Sequence, residues 1–251
     1  MAARKFLAAA LRTGLRAVPP LRSVLHKLHD YVRPHTRDLR AMQRRHEGQV
    51  LQPYPTTCED RYPEVFAALA DHLADVAEPC ILSYGCSDGS EVRSLRKWFP
   101  HAHIVGLDPN ARMIAKARSH LARNPDEGIS YIEAGSPDAL GAMRFDAVLA
   151  MAVFRHGDLE ASAPDTCEDI LPFKRFAETV EALDDHIKPG GWLAVWNAHF
   201  RFSDLPIAAN YRAQELPFAK DDPQVLLYGP ENARIDGVTY AEVLFAKTLR
   251  A

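Results

Sequence analysis

A glycine-bearing segment and an aspartate downstream of it have the residue types needed to bind a ribose-containing ligand. The segment Gly85-Cys86-Ser87-Asp88-Gly89 follows a short apolar run and precedes a predicted helix. Glycines there let a ligand approach backbone N–H groups with no Cβ in the way, at the sheet edge where open α/β folds bind ligands. Asp108 stands nineteen residues after Gly89, where a carboxylate can accept hydrogen bonds from both ribose hydroxyls.

The spacing of the glycines limits the class of ligand. The segment lacks the G-x-G-x-x-G order of dinucleotide-binding folds, because Ser87 and Ser90 stand in the run and the second glycine is Gly89. No lysine follows the glycines, so the P-loop pattern for nucleotide phosphates is absent as well. Both observations count against NAD(P) and against a P-loop nucleotide site.

The elements that must position these residues alternate between strand-like and helix-like runs from residue 60 onward. Predicted strands cover residues 80–84, 103–107, 129–133, 145–149 and 192–196, and predicted helices cover residues 63–76, 90–98, 111–121 and 173–187. Repeated alternation of this kind predicts a parallel sheet with helices on both faces.

The carboxyl-terminal part follows a different pattern. Two apolar runs, residues 225–228 and 243–246, are separated by a turn-rich stretch without a helical pattern, so we expect them to pair antiparallel. The sequence therefore predicts an α/β, doubly wound, mostly parallel seven-stranded sheet with a C-terminal antiparallel hairpin. A helical N-terminal extension over residues 1–60 precedes this domain, which covers residues 61–251.

On these motifs the chain resembles the class I S-adenosylmethionine-dependent methyltransferases, whose domain is Rossmann-like. Four stretches carry the resemblance: the segment Gly85–Gly89, Gly106-Leu107-Asp108, the fourth-strand run 145–150, and the run 187–193 containing Pro189-Gly190-Gly191. The resemblance covers about residues 60–251. It implies the fold described above, transfer of a methyl group, and S-adenosyl-L-methionine as cofactor.

The resemblance also implies which residues contact the cofactor. The loop glycines and Ser87 would lie beside its methionine part, Asp108 would hold the ribose, and Ala150-Met151 would face the transferred methyl. The implied cofactor-binding set is Gly85, Cys86, Ser87, Gly89, Glu91, Asp108, Pro109, Met113, Gly135, Ser136, Ala150 and Met151.

Two positions depart from the usual family pattern. Ser83 stands where the family often has an acid before its first glycine, and Ser136 stands where an aspartate often follows the third strand. The run from Gly85 to Glu91 is similar to the Ser-x-Gly-x-Glu form of the chemotaxis-receptor methyltransferases. That similarity implies that Glu91 meets the amino group of the cofactor.

Three polar residues follow the fourth and fifth predicted strands, where a methyl acceptor would bind. His156 and His199 are candidates for a general base or for acceptor binding, because imidazole titrates close to neutral pH. Asn197 is a candidate for orienting the acceptor. Methyl transfer needs a base only if the acceptor must lose a proton, so catalysis by positioning alone stays open.

The N-terminal extension differs in charge from the rest of the chain. Residues 1–50 contain 11 Lys and Arg residues but only 3 acidic ones, although the whole chain has a net charge of −3. Apolar residues from Leu7 to Val18 recur at helical spacing opposite basic ones. This helix could pack on the main domain, contact a membrane surface or act as a targeting segment; a lid over the acceptor site is a further hypothesis.

Composition restricts the remaining classes of function. Hydrophobic residues make up 47% of the chain and charged residues 25%, which are globular values. The spacing of the four cysteines fits neither a zinc site nor a disulfide framework, so we expect no metal and a reducing, cytoplasmic location. A small-molecule acceptor is the default expectation, nucleic acid is disfavoured by the acidic domain, and the oligomeric state stays open.

Two other functions stay open at this stage. One is an NAD(P)-dependent oxidoreductase, which the glycine spacing disfavours. The other is a non-catalytic cofactor-binding module on the same fold, for which the departures at Ser83 and Ser136 leave room.

Overall fold

The computed structural model describes residues 34–221 and 226–249, with side chains from residue 39 onward. The chain divides into two compact units, residues 1–45 and residues 46–251. Helix α1 (Pro34–Arg45) is the described part of the first unit. The helices expected over residues 7–18 and 25–32 lie outside the described residues. Residues 46–60, which the sequence groups with the extension, belong to the second unit.

The second unit begins its regular structure with a helix and then alternates strands and helices. The described helices are α2 (Pro63–His72), α3 (Ser90–Trp98), α4 (Ala111–Arg123), α5 (Gly157–Ser162), α6 (Phe173–Asp184) and α7 (Pro217–Asp221). The strands are β1 (Cys80–Tyr84), β2 (His103–Asp108), β3 (Ile129–Glu133), β4 (Phe145–Met151), β5 (Ile187–Trp196), β6 (Tyr211–Glu215), β7 (Leu227–Tyr228), β8 (Arg234–Ile235) and β9 (Glu242–Lys247). Short 3-10 turns span Pro137–Leu140, Phe202–Asp204 and Pro206–Asn210.

Two helices end earlier than their apolar patterns predict. The predicted helix 63–76 ends at His72, because Val76 is exposed and the buried face of α2 stops at Leu73. Helix α6 ends at Asp184, because Ile187 already pairs with Phe145 as the first residue of β5. Strand β5 begins at Ile187, five residues before its predicted start at residue 192. The remaining expected elements of the alternating region agree with the structure to within two residues.

Seven strands form one sheet in the order β3-β2-β1-β4-β5-β9-β6. Strands β1 to β5 are parallel, and β9 pairs antiparallel with both β5 and β6. Ile81 and Leu82, adjacent in β1, are both fully buried and belong to different apolar clusters. Successive strand residues point to opposite faces, so both faces of the sheet are covered and the doubly wound α/β prediction is confirmed.

The identity of one antiparallel strand differs from the prediction. The run 225–228 was expected to pair with 243–246, but β9 pairs instead with β6, which contributes the seventh strand. Leu227 and Tyr228 form a separate two-stranded hairpin with β8. The expected pairing was wrong because Tyr211–Glu215 lies at the sheet edge, where three of its five side chains are exposed, and it has no apolar run.

A buried charged cluster attaches the antiparallel edge to helix α6. Lys247 Nζ lies 2.7 Å from Asp184 Oδ1, and the Tyr211 hydroxyl donates to the same carboxylate oxygen at 2.5 Å. Lys247 Nζ also donates to the backbone carbonyls of Asp184 and Ile187. These bonds satisfy the buried charges from several sides, which burial of an ion pair requires.

The order of the strands determines where a ligand site can form. The chain runs outward from β1 to β3 and then returns to β4 on the other side of β1. This reversal is a topological switch point, and open α/β sheets bind ligands in the crevice beyond the carboxyl ends of the strands there. The segments after β1, β2, β3 and β4 therefore border the candidate site.

Candidate active site

The loop after β1 adopts a backbone conformation that its glycines make available. Gly85 and Gly89 have φ values of +78° and +79°, in the left-handed region. A Cβ at Gly85 would lie 2.5 Å from Val153 Cγ2, and one at Gly89 would lie 2.5 Å from the Tyr131 hydroxyl oxygen. Both positions therefore require glycine for conformation and for space.

Asp108 and the glycine loop are held together by a backbone hydrogen bond. The Ser87 N–H donates to Asp108 Oδ2 at 2.8 Å, and the Asn110 N–H donates to Oδ1, also at 2.8 Å. Asp108 is 9% exposed, and its burial raises the pKa of the carboxyl to about 6, against the two N–H bonds that lower it. The structure thus brings together the two features that sequence spacing singled out.

Glu91 adds a second buried acid near the loop. Its Oε1 accepts a hydrogen bond of 2.7 Å from the Ser83 hydroxyl. Burial raises the pKa of Glu91 to about 7, although this bond and the positive charge of Arg61 oppose the shift. Ser83, the residue that departs from the family pattern, therefore holds the carboxylate of Glu91, which projects from helix α3.

The other flank of the cleft is formed after β2 and β3. Asn110 caps α4 by accepting from the Met113 N–H at 3.3 Å, so Pro109 and Met113 lie at the start of that helix. The Ser136 hydroxyl donates to Asp138 Oδ2 at 2.8 Å. An acid that sequence reasoning missed, Asp138, thus lies two residues after Ser136 and is hydrogen-bonded to it.

The end of β4 lies at the centre of this edge. Ala150 is fully buried in the strand, and Met151 is 7% exposed. Ala152 follows with a φ of +58°, and its N–H donates to the Trp196 carbonyl at 2.9 Å. A non-glycine residue in the left-handed region is strained, and such strain concentrates at functional sites.

His156 caps helix α5 with its ring. Its Nδ1 accepts from the Asp158 N–H at 3.2 Å, so in the neutral ring the proton lies on Nε2. Burial lowers the pKa of His156, which keeps the ring neutral near neutral pH. In this tautomer Nε2 is a hydrogen-bond donor, which favours acceptor binding over the role of a general base.

His199 is held inside the fold. It is 1% exposed, with Nδ1 3.1 Å from the Leu226 carbonyl and Nε2 3.4 Å from the His156 carbonyl. A neutral imidazole has a single N–H, and burial lowers the pKa of His199. A catalytic role for His199 stays a prediction, and this enclosure weighs against it.

Asn197 links two side chains at the end of β5. Its Oδ1 accepts from Arg155, and its Nδ2 lies 3.3 Å from the Tyr62 hydroxyl. Arg155 also forms a salt bridge of 2.6 Å with Glu160. The amide of Asn197 is therefore occupied by protein partners, so its role in orienting an acceptor stays a prediction.

A segment before helix α2, in which the sequence analysis found no site residue, runs along the edge of the candidate site. We name residues 46–62 the strap. The Ser87 hydroxyl lies 3.4 Å from the Pro55 carbonyl, and the Tyr54 hydroxyl donates to Asp158 at 2.6 Å. At the other flank, Gln49 packs closely against Gly135. A Cβ added at Gly135 would lie 2.6 Å from the amide oxygen of Gln49. The strap thus covers the edge from the β3 side to helix α5.

The described residues include no cluster of three or more potential metal ligands. None of the described helices combines the length and the apolar composition that crossing a bilayer requires. Cys58, Cys80, Cys86 and Cys167 are free thiols, and burial keeps the pKa of Cys86 well above its usual value. The arrangement offers backbone N–H groups and two buried carboxyls, which suit a ligand with a ribose and an ammonium group.

Comparisons with known proteins find a methyltransferase family model and sequence relatives. Residues 82–193 match the model of a family described as "Methyltransferase domain". The release factor glutamine methyltransferase of Geobacter sulfurreducens is 30% identical over 127 residues, which are 46% of this chain and 44% of that protein. The carboxy-S-adenosyl-L-methionine synthase of Aeromonas salmonicida is 27% identical over 169 residues, 64% of this chain and 62% of that protein.

A solved structure, the precorrin-6y C5,15-methyltransferase of Geobacter metallireducens, superposes with a TM-score of 0.47 at 14% identity. The superposition covers 76% of this chain and 93% of that one. Of the two sequence relatives above, the matched region of this chain spans 44% of the release factor glutamine methyltransferase and 62% of the carboxy-S-adenosyl-L-methionine synthase.

Proposed function

We propose that the protein is a class I S-adenosylmethionine-dependent methyltransferase, which transfers a methyl group from S-adenosylmethionine to a small-molecule acceptor. Residues 82–193 match the model of a methyltransferase-domain family. One observation carries the proposal: the Ser87 N–H and the Asp108 carboxylate meet at the switch point of the sheet, 2.8 Å apart. A carboxylate in that place can accept from both ribose hydroxyls, while the glycine loop leaves room for the rest of the cofactor.

The remaining cofactor contacts follow from the position of each residue. Glu91 would accept from the ammonium group of the methionine part, because its buried carboxyl lies beside the loop. Pro109 and Met113 would flank the adenine from α4. Gly135 and Ser136 would border it from the β3 side, where Asp138 can accept from the adenine amino group.

The chemistry requires little of the protein beyond positioning. When bound, S-adenosylmethionine supplies an electrophilic methyl group on a sulfonium. The protein would hold the nucleophile of the acceptor in line with the breaking carbon–sulfur bond. His156 would donate through Nε2–H to an acceptor oxygen, and a proton lost by the acceptor would pass to water or to a base on the acceptor itself.

A small acceptor is favoured by the strap. The strap bonds to Ser87 and to Asp158, so it narrows access to the carboxyl edge of the sheet. The relative named as a release factor glutamine methyltransferase has a protein acceptor by name, which would need a more open edge. The proposal includes a membrane contact through the helix predicted over residues 7–18, which lie outside the described residues. It also includes a cytoplasmic location, with which the free thiols are consistent.

Calorimetric titration with S-adenosylhomocysteine tests the proposal, with NADH as the competing ligand. We expect S-adenosylhomocysteine to bind and to raise the melting temperature, and NADH to do neither. Binding of NADH alone would replace the proposal by the oxidoreductase alternative. Binding of S-adenosylhomocysteine without methyl transfer to any compound of a broad small-molecule panel would favour a non-catalytic module.

A further inference from the structure

Arg175, near the start of α6, is unusual among the partly buried arginines of the second unit. The others that the structure describes each form a salt bridge with a carboxylate: Arg93 with Glu59, Arg96 with Asp126, Arg155 with Glu160, Arg201 with Asp204, and Arg234 with Asp165. Arg175 forms no salt bridge with any described residue. Within the described ranges its guanidinium makes one hydrogen bond, from Nη2 to the Val50 carbonyl at 2.9 Å.

The surroundings of Arg175 do not neutralise its charge. The acidic residue that acts electrostatically on Arg175 is Glu178, an exposed residue on the next turn of α6. Tyr84, at the end of β1, lies within electrostatic reach, and burial raises the pKa of its hydroxyl far above neutrality. His156 is also within reach and neutral. Burial lowers the pKa of Arg175 itself, which is the signature of a partly desolvated cation.

The position of Arg175 places this cation at the candidate active site. Tyr84 ends β1 and His156 follows β4, the two strands that flank the switch point. Val50 belongs to the strap, so Arg175 lies beneath the strap rather than on the open surface. Arg175 thus lies at the candidate site with no carboxylate of a described residue within salt-bridge distance.

We infer that the methyl acceptor carries a carboxylate, and that Arg175 binds it. A guanidinium has five N–H donors in a planar fork that matches a carboxylate in a bidentate arrangement. A partly desolvated cation with one neutral hydrogen-bond partner gains most from an anion at the remaining donors. This inference rests on the proposed methyltransferase function and adds the chemical class of its substrate.

Binding of benzoate to the full-length protein saturated with S-adenosylhomocysteine tests the inference. Benzamide, the neutral compound of the same shape, serves as the reference ligand. We expect benzoate to bind and benzamide not to bind at matched ionic strength. Arg175→Gln should lower the affinity for benzoate at least about tenfold. Arg175→Lys should retain part of the affinity, because lysine keeps the positive charge but lacks the planar fork of donors.

A neighbouring lysine provides the matched control. Lys174→Gln removes one positive charge from the same turn of α6, where the Lys174 side chain is 81% exposed. It should leave benzoate binding unchanged. Arg175→Gln should also leave the affinity for S-adenosylhomocysteine within about threefold of the wild type, which shows that the variant is folded. If Arg175→Gln does not fold, the affinities of Arg175→Lys and Lys174→Gln for benzoate are compared instead.

Each outcome bears on one of the two claims. Absence of S-adenosylhomocysteine binding by the wild type would remove the proposed function itself. Intact cofactor binding with no benzoate binding, or with equal benzoate binding in Arg175→Gln, would overturn the inference alone. Inorganic phosphate that binds more tightly than benzoate and is lost in Arg175→Gln would overturn the assignment of a carboxylate.

Discussion

The backbone N–H of Ser87 donates a 2.8 Å hydrogen bond to Oδ2 of Asp108, so the loop after β1 is tied to the end of β2. The bond fixes the carboxylate at the mouth of the crevice and leaves further lone pairs on both oxygens for a ligand. The same carboxylate also accepts from the Asn110 N–H, at the start of α4. Asp108 therefore ties the loop after β1 to the start of α4, on either side of the proposed ribose position.

Replacing Asp108 should weaken cofactor binding without unfolding the protein. Asp108→Asn keeps the size of the side chain but turns one acceptor into a donor, so one ribose hydroxyl loses its partner. We expect the Kd for S-adenosylhomocysteine to rise at least about tenfold, or about 1.4 kcal/mol. Calorimetry measures this change. The control Asp75→Asn, at an exposed position, should bind as the wild type does; equal affinities of the two variants would refute the role of Asp108.

Gly85→Ala should destabilise the protein more than an alanine at an unhindered glycine. Both Gly85 and Gly237 have positive φ values, +78° and +72°, so alanine is strained at either position. Only at Gly85 does the new Cβ meet a neighbour, Val153 Cγ2 at 2.5 Å. We expect losses of about 2–4 kcal/mol at Gly85 and about 1 kcal/mol at Gly237. Urea denaturation gives both values, and equal losses would mean that the close contact has no cost.

Cofactor affinity should depend on pH through Glu91. Its carboxyl has a pKa of about 7 in the free protein, so below that pH it is increasingly protonated and cannot pair with an ammonium group. The affinity for S-adenosylhomocysteine should therefore rise between about pH 6 and about pH 8. In Glu91→Gln this part of the dependence should disappear. An unchanged pH profile in the variant would show that Glu91 does not meet the cofactor.

The same raised pKa predicts an opposite effect on the stability of the free protein. The folded state holds the Glu91 proton to a higher pH than the unfolded chain does, so its contribution to stability is present at low pH. That contribution is lost as the pH rises from about 4 to about 7. Glu91→Gln should thus raise the melting temperature of the free protein at about pH 8 and change it little at about pH 4. Thermal unfolding at the two pH values checks the sign.

The buried cluster at the antiparallel edge should be important for stability. Lys247→Met would leave Asp184 buried without its cation, which costs about 3–5 kcal/mol for a buried pair. Lys220→Met breaks an exposed pair with Glu215 and should cost less than about 1 kcal/mol. Urea unfolding distinguishes the two. A loss at Lys247 no larger than that at Lys220 would show that the cluster does not hold β9 and β6 in place.

The parts of the structure that the sequence predicted depend on local patterns. Strand β1, the glycine loop and Asp108 were predictable because apolar runs, glycines and a terminal acid lie close together in the chain. Strand β6 was not, because the edge strand Tyr211–Glu215 needs few apolar residues. The more apolar run at Leu227 was mistaken for it.

Contacts between distant segments were beyond sequence reasoning. The bond from Arg175 to Val50 joins residues 125 positions apart, and the contact between Tyr54 and Asp158 joins residues 104 apart. No local pattern marks the strap as part of the site. The same holds for His199. Its place after β5 predicted a general base or an acceptor-binding residue, whereas its ring is enclosed by the carbonyls of Leu226 and His156.

A crystal structure of the protein with S-adenosylhomocysteine tests the central claim most directly. The account predicts that the adenosyl ribose lies between the Gly85–Gly89 loop and Asp108, with both hydroxyls at hydrogen-bond distance, about 2.5–3.0 Å, from the Asp108 carboxylate. It also predicts the ligand's amino group beside Glu91. A ligand bound elsewhere, or a ribose that does not touch Asp108, would contradict it.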